Sequence, residues 1–151
     1  GIGIDEFHRA NASRPPRNLL AGTTHDTKRS ADVRARIGTL AGIAEEWAER
    51  VHRWSAMHET DAPDWTEKLL IYQTLVGAWP IGADRLEAYV EKALREAKRN
   101  TSWIEQDHDW EARVRRFAVA LLDHQPFLDD FLPFAARVAE AGRRSALGQL
   151  C

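Results

Sequence analysis

Cysteine is all but missing: Cys151, the final residue, is the only one. A single thiol cannot close an internal disulfide, so a reducing cytoplasm is the expected compartment, and at a chain end it is a poor nucleophile candidate. An excess of charge of one sign is missing too. Lys and Arg number 21 against 23 Asp and Glu, for a net charge of −2. That balance leaves no electrostatic footprint for nucleic acid or an anionic membrane, and neither is expected as a partner. No apolar run approaches the ~18 residues of a membrane span, and no secretory pattern opens the chain. There is no glycine-rich phosphate loop and no G-x-S-x-G elbow. His8, His52, His58, His108 and His124 have no i, i+4 histidine partner, so neither a metal site nor a cofactor is expected.

What is present is a chain of 151 residues, 44% apolar and 29% charged, enough for one ordinary soluble domain. It opens at Gly1 without methionine and stops at "SALGQLC", which reads as the first turns of an unfinished helix. A piece of something longer is expected.

The patterning predicts a mainly α protein. A short helix fits Asp5 to Ala12, stopped by Pro15 and Pro16. Asn18 to Thr24 reads as one brief buried strand, the only strong strand candidate. Ser30 then looks like an N-cap, followed by Val33, Ile37 and Leu40 on one helical face, with an interruption at Gly42. Trp47, Val51 and Trp54 continue at helical spacing, and a loop runs through Thr60 and Pro63. Asp64-Trp-Thr-Glu67 has capping-box spacing, and Asp84-Arg-Leu-Glu87 offers a second box. Between them Leu69, Tyr72, Leu75 and Val76 face inward until Pro80 and Gly82.

Leu86, Tyr89, Val90, Ala93, Leu94 and Ala97 form the next inward stripe, with Glu91 and Lys92 on a solvated face. Asn100 to Gln106 is a turn holding Trp103. Asp107 or Asp109 starts a helix burying Trp110, Val114, Phe117 and Leu121. Pro126 suits the first turn of the last helix, whose Phe127, Phe131, Phe134 and Val138 face inward until Gly142 caps it. Trp47, Trp54, Trp79 and Trp110 are read as core. The count comes to about six to seven helices preceded by one strand.

The chemistry-bearing stretch is Leu20 to Arg34, "LAGTTHDTKRSADVR". A strand ending in a histidine and a carboxylate matches the C-terminal mouth of a strand in a parallel (β/α) barrel, where such folds carry their active groups. There Asp26 would stabilise a developing oxocarbenium charge, with His25 as hydrogen-bonder and Lys28 and Arg29 at the rim. Two rival readings remain on residues alone. One is an all-helical HD-type metal-dependent phosphohydrolase, which needs helix around His25 and a converging second histidine. The other is a non-catalytic helical interaction module.

The run "THDTKRSADVRARI" resembles the maltooligosyltrehalose synthases of the α-amylase superfamily. So do "FHRANASR", "LLIYQTLVGAWP", "RLEAYVEKALREAKRNTSW", "RRFAVALL" and "FLDDFLPFAARVAEAG", in order along nearly the whole chain. "DAPDWTEK" departs from the pattern, as does "GRRSALGQL", where Ser145 and Ala146 stand in place of an expected Asn and Ser. The resemblance implies that residues 1–29 are the strand-seven segment of a (β/α)8 catalytic barrel and residues 30–151 a helical insertion subdomain leading towards strand eight. It implies that Asp26 is the transition-state-stabilising carboxylate, that His25 bonds sugar hydroxyls, and that Lys28 or Arg29 grips the acceptor glucose. The expected substrate is a maltooligosaccharide and the expected partner is the remainder of the barrel. Nucleophile and acid/base would come from elsewhere, so the isolated chain is expected to be inactive. The sequence leaves the roles of Arg34, Arg36 and Trp103 open, with a structural role expected ahead of sugar contact.

Overall fold

The computed structural model describes residues 2–15, 17, 22–24, 27–58 and 63–147. Among them lie seven α-helices: α1 Ile4–Ala12, α2 Ala31–Thr39, α3 Ala44–Ala56, α4 Trp65–Ala78, α5 Ala83–Ala97, α6 His108–Ala120 and α7 Gln125–Leu147. A 3-10 turn, Leu40–Ile43, joins α2 to α3. No strand occurs among the described residues. Residues 18–21 of the expected strand lie outside them, and its described end, Gly22 to Thr24, is irregular. No described helix is long and apolar enough to cross a membrane.

Local chemistry sets most helix starts. Ser30 Oγ accepts from the Val33 amide at 3.4 Å, capping α2. Asp64 and Glu67 form a full capping box on α4, each side chain accepting from the other's backbone amide at 2.9 and 3.0 Å. Asp107 Oδ1 accepts from the Trp110 amide at 2.8 Å and so caps α6, and His124 Nδ1 accepts from Phe127 N at 3.2 Å. These contacts satisfy amides that have no partner within the helix.

Two boundaries differ from the sequence reading. The second box does not form: α5 begins at Ala83 after an extended Gly82, with no side-chain cap. Asp84 is already inside the first turn, where its charge still favours the helix N-terminus. Gly142 does not end α7, which runs through it to Leu147 and tolerates Pro133 as well. Gly142 is buried because α2 crosses there, against Arg36.

The core is aromatic. Trp54 is fully buried, with ring centroids 5.4 Å from Tyr72 and 5.3 Å from Phe127 in edge-on contact. Its indole N–H donates to Asp130 Oδ2 at 2.7 Å, which satisfies the one polar atom it carries inward. Asp130 also receives Arg50, and Arg53 at 3.0 Å. Burial alone would raise the Asp130 pKa, but Arg50, Trp54 and Arg53 together hold it below the ordinary value. Ile71, Tyr72, Leu75 and Val76 put α4 at the centre of this core. Trp47, Trp79 and Trp110 pack against it half-buried. By contrast Ile4 and Phe7 on α1 are 77% and 53% exposed, and α1 buries nothing.

Candidate functional site

The segment entering α2 makes one wall of a cleft. The Thr27 amide donates to the Thr24 carbonyl at 3.2 Å, and Thr27 Oγ1 donates to the same oxygen at 2.7 Å. Lys28 follows with φ of 57°. Opposite stand α4 and α5, and the space between is about 750 Å³, with Thr24, Lys28, Leu70, Tyr89, Lys92 and Glu96 on its walls. That volume lies within the ~300–1,000 Å³ of small-molecule sites.

Of the four residues singled out in the sequence, His25 and Asp26 lie outside the described residues. Their neighbours Thr24 and Thr27 face the cleft. Lys28 and Arg29 both line it, in different ways. Lys28 Nζ stands 3.5 Å from Glu96 Oε1, with both side chains about a third exposed at 36% and 35%. An ion pair so exposed is worth little and opens readily. Arg29 is held harder. Its Nε donates to the Tyr89 hydroxyl at 3.2 Å and its Nη2 to Thr74 Oγ1 at 3.3 Å. The guanidinium carbon also lies 6.0 Å from the Tyr89 ring centroid.

Glu67, which lines the cleft, and the carboxylates of Asp64 and Glu111 are committed to the fold. Glu67 is buried and accepts from Trp110 Nε1 at 2.9 Å and Asn100 Nδ2 at 3.0 Å. Burial would push Asp64 up, but the Glu67 amide, Arg99 and Asn100 outweigh it and keep its pKa below the usual range. Glu111 is wholly buried, with Arg95 bidentate on it at 2.9 and 2.7 Å and Thr101 Oγ1 donating at 2.7 Å. Those bonds, Arg95 foremost, carry it down to about 2. Asp64 and Glu111, both held low, are not poised to trade a proton near neutrality.

Of the pair expected on a solvated stripe, Lys92 is exposed. Glu91 instead bridges Arg95 at 2.9 Å and Arg115 at 2.8 Å, tying α5 to α6. Arg36 donates to the Trp79 carbonyl at 2.9 Å, Arg34 donates to the Gly22 carbonyl, and Arg95 lies 5.2 Å from the half-exposed Trp103 ring. His58 and His124, without a helical-spacing partner in sequence, meet in space with ring centroids 4.3 Å apart. Among the described residues no group of three or more His, Cys, Asp or Glu is placed to hold a metal ion.

Tyr89 and Thr74 join the site without a distinctive sequence signal. The spacing makes Tyr89 an inward-facing position, which describes its ring but not its hydroxyl. Thr74 carried no signal, since a threonine within a helix more often bonds its own backbone. It does that too, donating to the Leu70 carbonyl at 2.7 Å.

No protein-family model matches the chain. A Mycobacterium tuberculosis protein, named provisionally as a maltooligosyl trehalose synthase, is 37% identical over 133 residues, covering 82% of this chain and 17% of that protein. The structure of maltooligosyltrehalose synthase from Arthrobacter ramosus aligns over 94% of this chain and 18% of its own, at 38% identity and a TM-score of 0.80. A further maltooligosyl trehalose synthase crystal structure covers 97% of this chain and 21% of its own, at 32% identity and a TM-score of 0.85. The chain thus spans about a fifth of the length of its relatives. Sequence and backbone agree: this chain is similar nearly throughout to one largely helical segment of the maltooligosyl trehalose synthases.

Proposed function

We propose that this chain is the part of a trehalose-forming enzyme that carries one active-site carboxylate and the cations beside it. The reaction converts the reducing-end α-1,4 linkage of a maltooligosaccharide into an α,α-1,1 linkage by retaining intramolecular transglycosylation. In retaining chemistry one carboxylate attacks the anomeric carbon while a carboxylic acid ~5–5.5 Å away protonates the departing oxygen. Asp26 is neither of these; it steadies the positive sugar ring, and His25 bonds the ring's hydroxyls. Residues 1–29 belong to strand seven of the barrel and residues 30–151 to an insertion between strands seven and eight. The remaining barrel strands are the partner, and the enzyme works in the cytoplasm.

Water must lose to the released glucose as acceptor. Holding that glucose in a closed pocket gives its anomeric hydroxyl an effective concentration that bulk water cannot match. The observation that carries the reading is the cleft itself: Lys28, held among the described residues by a part-exposed ion pair to Glu96, faces a space of sugar size walled by α4 and α5. Lys28, rather than the doubly anchored Arg29, is therefore the acceptor contact.

The test is the ratio of trehalosyl product to free glucose in the full-length enzyme. Lys28→Met lowers that ratio, and an unchanged ratio removes Lys28 from the acceptor site. Asp26→Ala abolishes rearrangement, and full activity there sinks the assignment. The purified 151-residue chain forms no trehalosyl product, because it lacks the nucleophile and the acid.

A further inference from the structure

Lys28 and Lys98 are the described non-glycine residues with positive φ, at 57° and 54°. In this left-handed region the β-carbon crowds the following carbonyl oxygen, so a lysine stays there only where its surroundings overdetermine it. Lys98 closes α5, a common place for that conformation. Lys28 follows Thr27, the described end of a 3-10 turn, and its neighbours on both sides are tied down. What holds it comes from both sides: before it, Thr27 is bonded twice to the Thr24 carbonyl; after it, Arg29 is gripped by Tyr89 and Thr74.

The second grip joins two helices, Thr74 from α4 and Tyr89 from α5. Thr74 is only 5% exposed, and its proton is already committed to Leu70, which leaves the oxygen facing Arg29 as a fixed acceptor. Arg29 Nε and Nη2 are both engaged with these helices, so the guanidinium works as a strut between the cleft's two walls.

We infer that Tyr89 and Thr74 are positioning residues: by holding Arg29 from two helices, they set Lys28 in its left-handed conformation and fix the rim segment over the cleft. The consequence for product partition rests on the proposed trehalose-forming reading, in which Lys28 contacts the acceptor.

Two measurements on Tyr89→Phe and Thr74→Val test this. In the chain itself, hydrogen exchange at the Thr27 amide quickens by about fivefold in each variant, the worth of one side-chain hydrogen bond. In the full-length enzyme, the ratio of trehalosyl product to glucose falls by about the same factor, while consumption of maltooligosaccharide continues. Thr74→Ser, which keeps the hydroxyl, restores both. In an Arg29→Gln background the two substitutions have no further effect.

General loss of packing would lower turnover and melting temperature together and leave the product ratio alone. Unchanged exchange, or an undiminished effect in the Arg29→Gln background, overturns the inference; quickened exchange with an unchanged ratio overturns Lys28 as the acceptor contact instead. A wild-type enzyme forming no trehalosyl product overturns the proposed reaction instead, and the exchange measurement still decides whether Tyr89 and Thr74 hold the rim.

Discussion

Arg36 on α2 lies directly against Gly142 on α7: a β-carbon at Gly142 would stand 2.9 Å from the Arg36 Cα and 2.7 Å from its Cγ. Only a residue without a side chain lets the two backbones come so close. The same device recurs at Gly77 on α4, where a β-carbon would meet Val33 Cγ1 at 2.8 Å. α2, the helix that follows the rim segment, is thereby clamped to α7 on one side and α4 on the other.

Gly142→Ala is expected to destabilise the chain by about 1–3 kcal/mol, since a backbone atom must move to admit the methyl group. Gly38→Ala should act in the opposite sense. Gly38 lies within α2 with nothing near its would-be β-carbon, so alanine should add about 0.5–1 kcal/mol by helix propensity. Paired urea melts of the two variants check both signs.

Glycine at the two left-handed lysines should relieve strain. Lys98→Gly is expected to raise stability by about 0.5–1 kcal/mol, and Lys28→Gly by somewhat less because it also loses the weak pairing with Glu96. A rise in melting temperature for Lys28→Gly, with a fall in the trehalosyl fraction made by the full-length enzyme, would mark Lys28 as a site where strain is kept for function.

Acid stability should hinge on Glu111. Its pKa is held by Arg95, then Thr101, at about 2 against an ordinary 4.5. The unfolded chain therefore takes up this proton first as pH falls. Its contribution is complete above about pH 4.5 and is lost progressively down to about 2. Asp64 and Asp130, also held low, lose stability in the same direction. Glu111→Ala leaves Arg95 with Glu91 as its remaining described carboxylate and strands the buried Thr101 hydroxyl; it should cost about 3 kcal/mol at neutral pH, with a flatter acid limb in denaturation followed by circular dichroism.

His58 adds a second dependence at milder acidity. Burial, then the neighbouring His124 and Lys68, lowers its pKa below the ordinary 6.5, and its Nε2 is buried without a hydrogen-bond partner among the described residues. The unfolded chain binds this proton more readily, so stability declines as pH drops below about 6.5. His58→Phe should remove that slope, as read by thermal melts across a pH series.

Helices were legible because apolar spacing and capping residues act over a few positions. Ser30, the Asp64–Glu67 pair and Asp107 needed only their own next turn to declare themselves. The aromatic stripe of α7 was equally plain. Gly142 misled because glycine has two common uses in helices, closing an end or admitting a neighbour, and only the neighbour distinguishes them. Asp84 misled because capping also requires an extended residue at that position, and Gly82 supplied it first. In the site, Lys28 and Arg29 were visible as cations after a His-Asp pair, but their division of labour was not.

The order of residues alone determined the helical content, the inward faces and the likeness to one segment of the maltooligosyl trehalose synthases, because periodicity and local capping are short-range properties. Tertiary structure decided which side chains became partners: Arg29 with Tyr89 and Thr74, Arg95 with Glu111, His58 with His124, Arg36 with Gly142. Such pairs lie far apart along the chain, and their energies appear only once the helices have packed and water has been squeezed from between them.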